Sequence, residues 1–152
     1  MMSFVHLRIH SEYSFLRGAC RLEPLVARAA ELGMPALALT DYGVLHGAVR
    51  FTEIARRYGV QPILGVEFSL RPGSLPLVLL ARTCTGWINL LRLVNYQQLA
   101  APCAVEIDAA AISRWSDGLS AVLHGRREGV APGSLPAGGV PIAAVASSCF
   151  WG

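Results

Sequence analysis

Two histidines, His6 and His10, flank an arginine, Arg8, and two carboxylates, Asp41 and Glu67, close apolar segments further along. These are the residue types that bind divalent metals or move protons. In Phe4-Val-His-Leu-Arg-Ile-His10 apolar and polar residues alternate, the period of a strand, so His6, Arg8 and His10 share one face. A strand with imidazoles at alternate positions is a metal-binding layout, but Arg8 contradicts it. A guanidinium stays protonated, has no lone pair to offer, and repels a divalent ion beside His10. The segment therefore reads as a metal-binding strand whose central ligand has been replaced. Asp41 ends an apolar run and is read either as catalytic or as bonding the turn that follows it. His46, placed on a helix after that run, and His124, after a later strand, are metal-capable taken singly.

The elements that must position these groups alternate along the chain. Strand 4–10 leads through a loop with Arg17-Gly18 to a helix at 22–32, on which Leu22, Leu25, Val26, Ala29 and Leu32 recur at helical spacing, with Gly33 as its stop. Strand 36–40 precedes a helix at 45–58, stopped by Gly59. Strands follow at 61–68 and 75–81, then a helix at 85–99 with Trp87, Leu90, Leu91 and Val94 on its apolar face. A short helix at 108–115, a strand at 118–123, a Gly/Pro/Arg-rich loop at 125–140 and a last apolar run at 140–146 complete the pattern. Strands alternating with helices predict a parallel α/β sheet or barrel.

At 152 residues the chain suits one domain with a full core. Its composition is 53% apolar and only 15% charged, against roughly 25% charged in average soluble proteins. No run approaches the ~18 apolar residues of a membrane span, and no basic-then-apolar leader is present, so a cytoplasmic protein with no membrane contact is expected. Net charge is +3, and all thirteen basic residues are arginine. They are dispersed, which permits nucleic-acid contact without indicating it. The cysteines at 20, 84, 103 and 149 match neither a zinc-ribbon nor a disulfide spacing, and are read as buried or incidental thiols.

His-Leu-Arg-Ile-His-Ser-Glu-Tyr-Ser, then Leu-Gly-Met-Pro-Ala-Leu-Ala-Leu-Thr-Asp, then Pro-Ile-Leu-Gly-Val-Glu together resemble the amino-terminal PHP (polymerase and histidinol phosphatase) domain of bacterial DNA polymerase III α subunits. The resemblance is dense over 4–99 and weak at 141–150, read as a last strand. It implies one PHP-like domain over 1–152, a distorted (β/α)7 barrel, incomplete or compacted, with a metal cluster at the strand carboxyl ends. It also implies phosphoester cleavage by metal-activated water in active members.

Carried over residue by residue, the same resemblance implies that this cluster has decayed. His10 and Glu67 are retained ligands. Arg8, Arg17, Tyr42, Pro76, Gly125, Ser147 and Cys149 stand where other members have ligands. No catalytic residue and no cofactor is then expected; His10 and Glu67 are read as a hydrogen-bonded polar pair with Arg8 or Arg17, an Arg8–Glu67 ion pair being one way to replace the lost cation. The partners implied are a DNA polymerase core or a separate proofreading exonuclease subunit, with DNA reached through the parent polymerase, in replication or repair. Two alternatives stand beside this scaffold reading. One is an active phosphoesterase of 3′–5′ exonuclease type with zinc or manganese in a reduced site. The other is a truncated fragment without a role of its own.

Overall fold

The structure, a computed structural model, describes residues 4–71, 75–102, 104–123 and 142–144. It is mixed α/β: α1 (Leu22–Glu31), β1 (Ala36–Leu39), α2 (Ala48–Arg57), β2 (Gln61–Arg71), β3 (Leu75–Ala81), α3 (Cys84–Ala100), β4 (Glu106–Asp108), α4 (Ala109–Arg114), β5 (Leu119–Leu123) and β6 (Ile142–Ala144). Two compact units divide the chain, residues 1–67 and 68–152, and β2 contributes residues to both.

In the first unit β1 pairs in parallel with the start of β2, Ala36 opposite Gln61 through Leu39 opposite Leu64. Both helices lay their apolar stripes on the core. Leu22, Val26 and Ala29 of α1 and Phe51, Ile54 and Ala55 of α2 pack with Leu37, Leu39 and Val60. The predicted stripe of α1 is shorter than its period implies, because Leu32 is the C-cap and lies 56% exposed. α2 begins at Ala48, so His46 sits in the turn before the helix and is exposed.

The predicted strand at 4–10 is not regular. Ala38 N–H donates to His6 O, and Thr40 N–H donates to Ile9 O, both at 2.9 Å. Three residues on the outer segment, 6 to 9, thus span two on the inner one, 38 to 40, a bulge-like slip of one residue. Such a slip changes the face on which side chains emerge. The His6 ring stands edge-on to Phe4, centroids 4.6 Å apart. Thr40 repairs the slip, its Oγ1 accepting from Ile9 N–H at 2.9 Å.

In the second unit the sheet is mixed rather than parallel throughout. The end of β2 pairs in parallel with β4, and β5 with β6, but β3 runs antiparallel to β5, from Leu77 opposite Leu123 to Ala81 opposite Leu119. Among the described residues the strands do not close into a barrel. β4 has no counterpart in the sequence reading, since three residues are too few to show a period of two. The buried face of α3 is Gly86, Asn89, Leu90, Leu93 and Gln97. Leu91 is instead 41% exposed. Two amides enter that face because each satisfies loop carbonyls: Asn89 donates to Asp117 O at 2.9 Å, and Gln97 to Ala101 O at 3.0 Å and also to Ala104 O.

Thr83 caps the start of α3, its Oγ1 accepting from Gly86 N–H at 3.1 Å. There Gly86 meets the turn before β5 so closely that a Cβ would overlap the carbonyl of Gly118. Gly118 itself has φ +71. Backbone opposes backbone here, and neither side can yield cheaply. Gly86→Ala is expected to cost about 3 kcal/mol, the upper end for overpacking, read as a lower urea midpoint at unchanged slope.

Candidate functional site

Every group of the candidate site described below belongs to the first unit. β1 ends at Leu39 and β2 runs beside it to Glu67, so Asp41, Tyr42 and Glu67 emerge together beyond the end of β1. A parallel bridge sets Tyr42 beside Glu67, with Glu67 N–H donating to Asp41 O and Gly43 N–H to Glu67 O. The irregular segment 6–11 passes alongside and brings in Arg8 and His10.

Glu67 is buried, its side chain 1% exposed, and its carboxylate is fully engaged. Arg8 reaches it as a fork, Nε donating to Oε2 at 2.6 Å and Nη2 to Oε1 at 3.0 Å. His10 Nε2 lies 3.0 Å from Oε2. Burial alone pushes the Glu67 carboxyl up; the hydrogen bonds from His10 and Arg8, with their charges, outweigh it and bring it from 4.5 to about 2. At neutral pH Glu67 is therefore an acceptor only, so His10 Nε2 carries the proton of that bond. Arg8 and His10 line an open cleft of about 200 Å³.

A carboxyl lowered on folding stabilises the native state above its unfolded value and ceases to do so below its folded one. The Glu67 contribution is complete above pH 4.5 and lost as pH falls towards 2, on the order of 3 kcal/mol in all. Urea midpoints measured between pH 5 and 2 should fall more steeply for the wild type than for Glu67→Gln, which has no carboxylate to titrate.

Asp41 is 1% exposed and holds the loop before it, not the turn after it as one sequence reading had it. Its Oδ1 accepts from Ser11 N–H at 2.6 Å and from Ser14 Oγ at 2.6 Å, and its Oδ2 from Ser11 Oγ at 2.7 Å. Ser14 Oγ in turn accepts from Tyr42 N–H at 3.0 Å. Ser11 and Ser14 went unread in the sequence. Their Ser-x-x-Ser spacing ahead of a buried aspartate was the available signal, but such pairs are common in solvated turns. Arg17 does not join Glu67 or His10; its guanidinium lies over the Tyr42 ring, 3.7 Å from the centroid.

The structure thus brings Arg8, His10 and Glu67 together, with Arg17 and Tyr42 adjacent. Pro76 lies in β3, in the second unit. His124, Gly125, Ser147 and Cys149 lie outside the described residues. Cys20 and Cys84, read as buried or incidental, are exposed thiols. Among the described residues no three His, Cys, Asp or Glu side chains converge as a metal site would require.

An α/β fold with a polar cleft at the strand ends defines the class, and residues 6–138 match the PHP domain model: the chain belongs to the PHP domain family. It is homologous to the amino-terminal PHP region of DNA polymerase III α subunits. An error-prone DNA polymerase of Symbiobacterium thermophilum is 53% identical over 98 residues, 64% of this chain and 9% of that protein. The DNA polymerase III subunit alpha of Escherichia coli K12 is 38% identical over 130 residues, 81% of this chain and 11% of that one. The chain thus spans about a tenth of the length of these curated relatives. Among solved structures, an amidohydrolase from Chromobacterium violaceum superposes with a TM-score of 0.51 at 26% identity, over 63% of this chain and 33% of its own. A candidate metal-dependent phosphoesterase from Bifidobacterium adolescentis gives 0.51 at 19% identity, over 63% and 34%, a likeness of fold alone. Among the described residues no helix is long and apolar enough to cross a membrane.

Proposed function

We propose that this chain is a metal-free PHP domain of the DNA polymerase III α type, serving DNA replication or repair as a scaffold and docking module in the cytoplasm. Its partner in this reading is a polymerase core or a proofreading exonuclease subunit, and it meets DNA only through the polymerase.

The observation that carries the reading is the Arg8 fork on Glu67. The residues present do not fit a divalent ion. Both Glu67 oxygens receive guanidinium protons, and His10 turns a proton rather than a lone pair towards that carboxylate. Both Asp41 oxygens are taken by donors from Ser11 and Ser14. Arg8 and Arg17 add fixed positive charge where a cation would have to enter. An arginine here supplies the charge and fills the space of an ion, so the cleft is complete without one. No hydrolytic step is assigned to it.

Metal content of the purified chain, expressed with zinc, manganese and iron supplied, tests this beside a His10→Ala control. Fewer than about 0.1 equivalents in both proteins is the expected result, far below the one ion per site of a bound centre. Stoichiometric metal that disappears in the control would overturn the reading in favour of a reduced phosphoesterase site.

A further inference from the structure

We infer that the outer face of α3 is a self-recognition seam, on which a second copy of this chain pairs helix to helix, parallel and in register. The inference goes beyond the function proposed above and stands independently of it. Every residue it uses on α3 belongs to the second unit.

α3 has two opposed faces. Gly86, Asn89, Leu90, Leu93 and Gln97 are buried within the unit. Outward, Cys84, Ile88, Leu91 and Asn95 recur at steps of four, three and four, and the spacing ends on Gln98. In a heptad lettered a to g these are d, a, d, a and d, the seam of a coiled coil. Ile88 is 48% exposed, Leu91 41%, and Leu99, at the neighbouring e position, 86%. Three bulky aliphatic side chains thus line one stripe that this chain leaves in water.

The occupant is identified by the surface that answers this one. Ile at a with Leu at d favours two parallel strands, and Asn at a fixes the register by bonding its own counterpart. Asn95 is exposed in the single chain; in a parallel pair the two Asn95 amides face each other, donor to acceptor. An antiparallel pair sets Asn95 against apolar groups instead, at the cost of an unmet amide.

The flanks match in the same way. In a parallel pair each g position meets the e position of the next heptad on the other copy. Trp87 at g then receives Arg92 at e, a cation over an indole, and Val94 at g receives Leu99. Arg92 is exposed and carries the sole charge of α3, so no like charge meets it from the facing g position. Its Nη1 donates to Asn89 Oδ1 at 3.1 Å, which leaves the planar face of the group for stacking. A second copy supplies all of these answers at one spacing.

Size sets the strength. The 17 residues of α3 make a seam about 25 Å long, and one helix pair of that length covers less than the roughly 1,200 Å² of a stable interface. The pairing is therefore transient, with a dissociation constant on the order of 100 μM.

Sedimentation velocity of the full chain over about 5 to 500 μM tests this, beside Leu91→Glu, Leu99→Ser and Asn95→Val. The wild type is expected to pass from monomer to dimer across that range. Leu99→Ser is expected to dimerise several-fold more weakly and Leu91→Glu not at all, with melting temperatures unchanged at low concentration. Should Leu91→Glu fail to fold, Leu99→Ser carries the same test at a position 86% exposed. Asn95→Val is expected to associate about tenfold more tightly and to exceed the dimer, because a polar a position specifies two copies at a cost in affinity. A short bismaleimide, which adds to two thiols without redox change, reads the orientation. A chain whose one cysteine is Cys84 is expected to cross-link to its copy, and one whose one cysteine is Cys20, exposed but off the seam, is not. A wild type that stays monomeric throughout, or a dimer that survives both leucine variants, would overturn the seam. A dimer that these variants remove but that fails to cross-link through Cys84 would overturn the parallel register.

Discussion

Arg8→Ala will lower folding stability by about 3 kcal/mol at pH 7, the low end of the cost of breaking a buried pair. The cost comes from the partner left behind. Glu67 is 1% exposed and ionised, and without the fork only His10 remains to compensate it. The effect stays at the low end because the Arg8 side chain is 38% exposed, and water screens part of the attraction the mutation removes. Glu67 also has an escape, protonation, which caps the loss. Arg8→Met/Glu67→Leu is expected to recover most of the stability, since two apolar groups of similar size leave no charge uncompensated. Urea titrations of both single variants and the double variant give the coupling directly. A loss below about 0.5 kcal/mol in Arg8→Ala, the ordinary range for surface substitutions, would show that the fork holds nothing.

Arg8→His will make the chain retain about one zinc ion where the wild type is expected to retain none, a change from absence to stoichiometry. An imidazole Nε2 is as many bonds from Cβ as the arginine Nε that now contacts Oε2 at 2.6 Å, so the new ring reaches the same place with a lone pair. Glu67 then turns two unprotonated oxygens to the cleft, His10 is released to take the other tautomer, and three protein ligands converge, the number of an open zinc site. Metal analysis after dialysis, with a melting temperature that falls on adding chelator, reads the outcome. If Arg8→His stays as metal-poor as the wild type, Arg8 is not what keeps ions out, and the charge of Arg17 or the engagement of Asp41 becomes the cause to test.

The sequence discloses this molecule unevenly, for physical reasons. α1 and α2 were legible because their apolar stripes recur at 3.6 residues and each helix is followed by a glycine at positive φ, Gly33 and Gly59. Residues 5–10 alternate and are still not a regular strand, because a pattern of side chains carries no information about a one-residue slip against a neighbour. β4 was too short to see. The antiparallel β3–β5 pair could not be inferred from an order of elements that leaves direction open. At the cleft, charge and resemblance together left Arg8 and Arg17 both open as partners, and the structure forms the Arg8–Glu67 pair. The placement of Arg17 on an aromatic ring, and of two serines on Asp41, depends on rotamers that no spacing encodes.

A tethered guanidinium differs from an ion in one more respect: it cannot leave. A bound cation has an off-rate, an affinity and a supply, so a scaffold built around it loosens when the cell is starved of trace elements or a competing chelator is present. Arg8 travels with the chain from synthesis onward and is always at full occupancy. On the metal-free reading proposed above, the shape around Glu67 is decoupled from the cell's inorganic economy, and the domain is expected to fold the same in scarcity and in excess.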